Sequence, residues 1–278
     1  MISQYPTDPI NQSIICLRQL CNGREIGQAT GFFYNVEVNG APALFLVTAW
    51  HIVTGRSTLP PHSALHEKGA LPDNLSASLL LNEPSLSHEG KFAFEEVTIP
   101  LYGEDGAPLW YQHPLGSKVD IAAMNLGTST KRFQVSGITD HAHDHDMAIR
   151  IGSNICILGY PLGFTQFLRT PIWKHGIIAS EPHQEETGQA PRIAIDATTR
   201  GGMSGSPVIL LANTHYVNES GQAIEKPGAR RFVGVYGGRP GIASLEGEST
   251  EIGFVYKSGA LEQLIKTGTP GLRYGELP

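Results

Sequence analysis

Cysteine is scarce. The three in 278 residues, Cys16, Cys21 and Cys156, are too few and too scattered to frame a disulfide-stapled scaffold or a zinc knuckle. Three reduced, mostly buried thiols are expected. Charged residues make up only 17% of the chain, and no run of lysine and arginine occurs. With a net charge of −6 and a pI near 6.0, there is no basic stripe to hold a nucleic acid. No stretch approaches the roughly 18 apolar residues of a membrane-spanning helix, so no membrane partner is expected. The opening MISQYPTDPINQ lacks an apolar segment behind a positive start and does not read as a secretory signal. A cytoplasmic location is the expectation, and a secreted one only if a signal once preceded this sequence. Internal repeats and low-complexity runs are absent as well.

Glycine and proline are plentiful, at 32 and 19 residues, which suits many short strands joined by turns. Apolar β-rich runs recur at Ser13–Leu20, Gly31–Val38, Ala43–Thr48, Phe92–Leu101 and Val119–Asn125. They continue at Asn154–Leu158, Gly176–Ser180, Arg192–Asp196, Pro207–Leu211, Phe232–Tyr236 and Glu251–Val255. One helix is expected near the end, with Ser258 as N-cap, Leu261, Leu264 and Ile265 on one face, and Gly268 closing it. Many strands and little helix point to an all-β barrel or sandwich. The polar stretch Gly127–Met147 reads as a connection between two halves, and Thr54–Lys91, with Pro60, Pro61, Pro72 and Pro84, reads as loop-rich.

Three motifs carry chemistry. The first is TTRGGMSGSPV, Thr198–Val208. A nucleophilic hydroxyl must project from a tight, fixed turn, and the amides of Gly202 and Ser204 must point together to hold an oxyanion. Glycines allow that backbone at little steric cost. Alone, the run could equally be an ordinary turn between strands. The second is LFLVTAWH, which ends in His51 after an apolar strand. A histidine in that place is by itself more often a core residue. The third is KVDIAAMNL, where Asp120 sits in an apolar run. A buried carboxylate is costly unless paired. Pairing with a histidine Nδ1–H would satisfy it and leave Nε2 free as a base. An aspartate bonded to turn amides is the other reading. Three such coincidences together are far rarer than any one.

Here a resemblance emerges. VTAWH, VDIA and GMSGSP are similar to the three signature blocks of trypsin-like serine peptidases, in the chymotrypsin order His, Asp, Ser. ATGFF at Ala29–Phe33 resembles the opening strand motif, and LGYPLG at Leu158–Gly163 resembles a block of bacterial members. The flavour resembles HtrA-like proteases without a PDZ domain and glutamyl endopeptidases. The latter carry a histidine where Tyr236 stands here, and the interval from His51 to Asp120 is long for the former.

The resemblance implies an all-β fold of two six-stranded antiparallel β-barrels with a short C-terminal helix. Residues 1–126 would form the barrel carrying His51 and Asp120, 127–147 the linker, and 148–278 the barrel carrying Ser204. It implies a serine endopeptidase working through an acyl-enzyme on Ser204. His51 would be the general base, Asp120 would orient it, and Gly202 and Ser204 would form the oxyanion hole. Substrate would lie along Thr198, Thr199, Val235, Tyr236, Gly237 and Gly238. A small or medium uncharged side chain is the expected preference, with Arg200 and Arg239 leaving an acidic one open. Protein or peptide is the implied partner, and no cofactor or metal is implied. Met203 replaces the aspartate with which zymogen-forming relatives capture a freed α-amine, so activity without trimming is expected.

Two other readings stay open. One is a catalytically silent scaffold of the same fold that binds proteins. The other is a metal site in DHAHDHD, Asp140–Asp146, whose His141, His143 and His145 alternate as ligands on a strand would.

Overall fold

The computed structural model describes residues 7–82, 92–128, 131–165, 169–184, 189–239 and 251–276. Part of the loop-rich 54–91 stretch, residues 83–91, lies outside them.

Strands β1 (Ile14–Cys21), β2 (Arg24–Val38) and β3 (Ala41–Thr48) form two successive hairpins. Each turns on an Asn-Gly pair with positive φ, Asn22-Gly23 and Asn39-Gly40. Two left-handed residues give the turn a twist that matches that of the flanking strands. A short helix α1 (Trp50–Thr54) follows, then β4 (Asn74–Leu80), β5 (Phe94–Pro100), β6 (Tyr111–Gln112) and β7 (Ala122–Asn125). With β16 (Thr269–Pro270) these make an eight-stranded sheet in the order β16-β6-β7-β3-β2-β1-β4-β5. Its far ends curl toward each other, because the Leu109 N–H donates to Leu101 O at 2.9 Å just beyond β5.

The second half is a closed antiparallel barrel. It consists of β8 (Asn154–Gly159), β9 (Ile172–Ile178), β10 (Arg192–Asp196), β11 (Pro207–Ala212), β14 (Ala229–Gly238) and β15 (Ile252–Lys257). The small hairpin of β12 (His215–Val217) and β13 (Ala223–Glu225) projects from it, and α2 (Ser258–Thr267) follows β15. The architecture is thus mostly β with a terminal helix, as expected. The first half differs in detail. It is an eight-stranded sheet rather than a closed six-stranded barrel, and the chain's last strand lies at its edge.

Strand periodicity explains the three cores. Alternate residues of β2 and β3 face opposite ways. Ala29, Phe33, Leu44 and Leu46 therefore pack inside the first sheet, while Phe32, Tyr34, Phe45 and Val47 face the second half. The barrel does likewise. Ile155, Ile157, Val208 and Leu210 fill its interior, while Leu158, Ile209, Phe232 and Tyr256 meet the first sheet's outer face. Both faces are buried, so these strands read as unbroken apolar runs instead of alternating ones.

Several expectations need correction. The loop-rich stretch contains β4, a strand in which Leu75, Ala77 and Leu79 alternate inward. Ser258 is the first residue of α2 and Lys257 its N-cap, with no side-chain cap. Gly268 ends the helix in extended rather than left-handed backbone, with φ −62°. The three cysteines are free but half-buried rather than mostly buried. Among the described residues no helix is long and apolar enough to cross a membrane.

Candidate active site

The site is assembled from both halves. β3 ends at Thr48 and Ala49 starts the single turn and a half of α1, so His51 sits on a helix just past the strand end. Trp50 anchors that turn. It is fully buried and its Nε1–H donates to Gln112 Oε1 at 2.8 Å. Gly55 closes α1 with φ +66° and donates its N–H to His51 O at 2.9 Å.

Asp120 lies between a 3-10 turn, Gly116–Lys118, and the start of β7, and is 3% exposed. Its carboxylate holds His51 twice. Oδ2 accepts from His51 Nδ1–H at 2.7 Å, and Oδ1 accepts from the His51 backbone N–H at 2.9 Å. The first bond selects the tautomer with the proton on Nδ1, and the second fixes where the ring starts from the backbone. Burial pulls the imidazole's pKa down. The Asp120 charge and hydrogen bond together outweigh that pull and hold His51 above the ordinary histidine value. Tyr256 lies beside this pair, its phenol pushed up to about 12 by burial and by the Asp120 charge.

Ser204 lies on the turn ahead of β11. Gly202 and Gly205 adopt φ +89° and +85°, which L-residues avoid. A side chain at Gly205 would lie 2.2 Å from Thr30 O and 3.0 Å from Ala49 N, so the turn presses directly on the segment leading into His51. The turn is pinned from the first sheet as well. The Thr30 N–H donates to Ser204 O at 3.0 Å, and the Thr30 hydroxyl donates to Gly202 O at 2.8 Å. Met203, which stands where zymogen-forming relatives carry an aspartate, is fully buried in the barrel core.

The amides of Met203, Gly205 and Ser206 donate to Arg200 O, Tyr236 O and Met203 O. Those of Gly202 and Ser204, the pair expected to face an oxyanion, donate to no described residue. Ser204 Oγ and His51 Nε2 likewise have no hydrogen-bond partner among the described residues. The serine–histidine bond is the one link that the structure does not contain.

β11 begins at Pro207, opposite Val235, so Gly237 and Gly238 of β14 run on past β11. A side chain at Gly237 would lie 3.2 Å from Asp120 Oδ2, and one at Gly238 would lie 3.6 Å from Ser204 Oγ. This strand end therefore runs along both parts of the site. Of the two threonines expected along the substrate, Thr198 is exposed, whereas Thr199 is buried. The Thr199 hydroxyl pairs with Tyr236 OH at 2.6 Å, and the Arg239 guanidinium hydrogen-bonds the Thr199 carbonyl. Arg200 Nη1 also reaches Thr199 O, at 2.8 Å, and faces Glu251 at 4.0 Å.

The DHAHDHD residues do not converge. Asp140 Oδ2 accepts from Gly137 N–H and Asn35 Nδ2, and His141 Nε2 bonds Ser136 Oγ. Asp144 pairs with Lys226 and accepts from Arg230 N–H, and Asp146 accepts from Tyr216 OH. Among the described residues no three His, Cys, Asp or Glu side chains gather as a metal would need. The segment is a set of staples onto both halves.

Sequence reasoning missed two contributors. Thr30 lies in ATGFF and Leu162 in LGYPLG, and both blocks were noted without roles. Leu162 N–H donates to Gly201 O at 2.6 Å.

A family model for the trypsin-like peptidase domain matches residues 29–217, about two thirds of the chain. No curated protein sequence matches. Among solved structures, the Rv3671c protease from M. tuberculosis in its active form is 14% identical over 95% of this chain and 84% of its own, with TM-score 0.44. Deg5 is 12% identical over 91% and 87%, with TM-score 0.46. The HtrA-type protease AlgW with a tripeptide is 16% identical over 92% and 62%, with TM-score 0.45. At such identity and overlap these likenesses add nothing to the family match.

Proposed function

The chain belongs to the trypsin-like peptidase family, and on that premise we propose that it is a serine endopeptidase acting on proteins or peptides through Ser204, His51 and Asp120. The observation that carries this reading is the double grip of Asp120 on His51, which fixes both the tautomer and the direction of Nε2. Ser204 Oγ attacks the scissile carbonyl as Nε2 takes its proton. The Asp120 carboxylate steadies the imidazolium, and the Gly202 and Ser204 amides hold the oxyanion. Nε2 then returns the proton to the leaving amine. The acyl-enzyme on Ser204 is hydrolysed by water activated at the same nitrogen. Substrate runs along Gly237 and Gly238, beside Thr198, whereas Val235, Tyr236 and Thr199, expected to line it too, are buried. His51 and Asp120 belong to a lobe of residues 1–126 and Ser204 to one of 148–278, joined through 127–147.

Catalytic hydrogen bonds are often long or absent before substrate arrives. The missing Ser204–His51 bond is nonetheless what favours the second reading, a silent scaffold that binds peptides. A fluorophosphonate probe separates the two, because only an activated serine reacts. Labelling of the wild-type chain and none of Ser204→Ala is expected, with kcat for peptide hydrolysis lower by several orders of magnitude in Ser204→Ala and His51→Ala. The double variant should be little worse than either, since the residues act as one unit. Asp120→Asn should cost roughly 10⁴ by favouring the wrong tautomer. A wild-type chain that stays unlabelled both before and after proteolytic trimming would favour the scaffold reading instead.

A further inference from the structure

Leu162 breaks two habits of leucine. Its side chain is 75% exposed, and its backbone is left-handed, with φ 54° and ψ 28°. Leu162 buries little of its surface, so packing does not account for that conformation. What the conformation does is present the Leu162 N–H to Gly201 O at 2.6 Å. The loop behind it is firmly anchored. Tyr160 is buried, its N–H donates to the Thr30 hydroxyl at 3.0 Å, and its own hydroxyl donates to Ile14 O at 3.1 Å. Gly163 N–H closes the turn onto Tyr160 O at 3.0 Å.

The acceptor gives this bond its meaning. Gly201 C=O and Gly202 N–H belong to one planar trans peptide and point in opposite directions. Gripping the carbonyl therefore aims the amide, and the Gly202 amide has no described partner of its own. The contact is close. A side chain at Gly202 would lie 2.4 Å from Tyr160 O and 3.1 Å from Leu162 N. The next carbonyl, Gly202 O, is held separately by the Thr30 hydroxyl at 2.8 Å. Rotating the Gly201–Gly202 peptide would thus break the Leu162 bond before any other.

We infer that Leu162 is a positioning residue of the reaction: its backbone N–H keeps the Gly201–Gly202 peptide turned so that the Gly202 amide faces the oxyanion. The inference rests on the peptidase reading of this site. It makes residue 162 a backbone device whose side chain is dispensable, and the conserving change is one that keeps the N–H and tolerates positive φ.

The test compares three substitutions at this position by steady-state hydrolysis of a peptide and by affinity for a peptide aldehyde, whose adduct carries the same oxyanion. Leu162→Pro removes the N–H and forces φ to about −65°. It should lower kcat by about 10²–10³, the loss typical of one oxyanion donor, and weaken aldehyde binding by a similar factor with KM little moved. Leu162→Gly, the rescue variant, should retain both. Replacing Leu162 by its α-hydroxy acid through nonsense suppression deletes the N–H and keeps the side chain, its one other effect being a weaker Pro161 carbonyl, which accepts from Phe164 N–H at 2.9 Å, and it should match the proline variant even if that one folds poorly. An α-hydroxy-acid variant with wild-type kcat and aldehyde affinity would overturn the inference, as would a glycine variant as impaired as the proline one. A wild-type chain that fails to react with the fluorophosphonate would instead sink the peptidase reading. The direction of the Gly201–Gly202 peptide would then be read from crystal structures of the wild-type and α-hydroxy-acid chains, and an unchanged direction would still refute the inference.

Discussion

Thr30→Val isolates the hydroxyl that ties the first sheet to the turn of Ser204. Valine keeps the shape and the β-branch, so the strand and the Phe32 and Phe33 packing beside it are preserved. What is lost is one oxygen with two bonds, donated to Gly202 O at 2.8 Å and accepted from Tyr160 N–H at 3.0 Å. The second of these is buried, so its amide is left without a partner at a cost of about 1–3 kcal/mol. The partly buried carbonyl adds about 1 kcal/mol, for a total near 2–4 kcal/mol. For a chain of this size each kcal/mol shifts the melting temperature by about 2 °C, so a fall of about 4–8 °C is expected. Released from Thr30, the Gly202 carbonyl no longer restrains the turn, and kcat should drop by about tenfold or more with KM nearly constant. Thr30→Ser keeps the oxygen and should recover most of both losses. Calorimetric melting and peptide kinetics on the three proteins are sufficient. A Thr30→Val protein that melts within about 1 °C of wild type would refute the reasoning, because the hydroxyl would then bear no load.

The raised pKa of His51 predicts opposite pH trends for activity and stability. Activity needs the neutral imidazole, so kcat/KM should rise through an apparent pKa above the ordinary value of about 6.5. The protonated pair with Asp120 contributes stability fully below about pH 6.5, and that contribution is lost as pH rises through the raised value. A limb centred below about 6.5 in kcat/KM would contradict this. Gly205→Ala should be severely destabilising, since its Cβ would meet Thr30 O at 2.2 Å with φ +85°, whereas Gly201→Ala meets nothing within 4 Å and should melt close to wild type. Equal melting temperatures for the two would argue against a tightly pressed turn. The turn is held by Thr30, Leu162 and buried Met203, with no ion pair to a freed amine, so intact chain should label with a serine probe. Labelling that begins only after added protease trims the chain would overturn that account.

The strands that carry the site were legible because their signals are local. β3 and β11 are apolar runs, with His51 just after the first and Ser204 just before the second, and Asp120 stands out because a carboxylate among Val119 and Ile121 needs a partner. β4 escaped notice because prolines surround it and its serines, Ser76 and Ser78, break the hydrophobic run, although one face is still buried. Helix α1 is too short to show a period, and β16 is a two-residue element defined only by its distant partner β6. Thr30 and Leu162 could not be picked out for the same reason. What they do depends on carbonyls more than thirty residues away in sequence, and nothing in ATGFF or LGYPLG names those acceptors. The histidine run is ambiguous in sequence, since alternation brings ligands together only if the segment is a strand, and this one is mostly turns.

The two ends of the chain are crossed. The opening turn at Pro9–Ser13 is fastened to the barrel, with Arg230 Nη1 on Asp8 Oδ1 at 2.7 Å and Trp173 Nε1 on Asn11 Oδ1 at 3.0 Å. The closing strand is fastened to the sheet, pairing Thr269 with Gln112 and Pro270 with Tyr111. Each half thus holds the other's loose end, in the manner of two hands gripping opposite wrists. These two grips act together with the apolar core that the halves share and with the Thr30 bonds to Ser204 and Gly202. A single backbone cut within residues 127–147 would turn one chain into two interlocked ones and leave His51 and Ser204 facing each other.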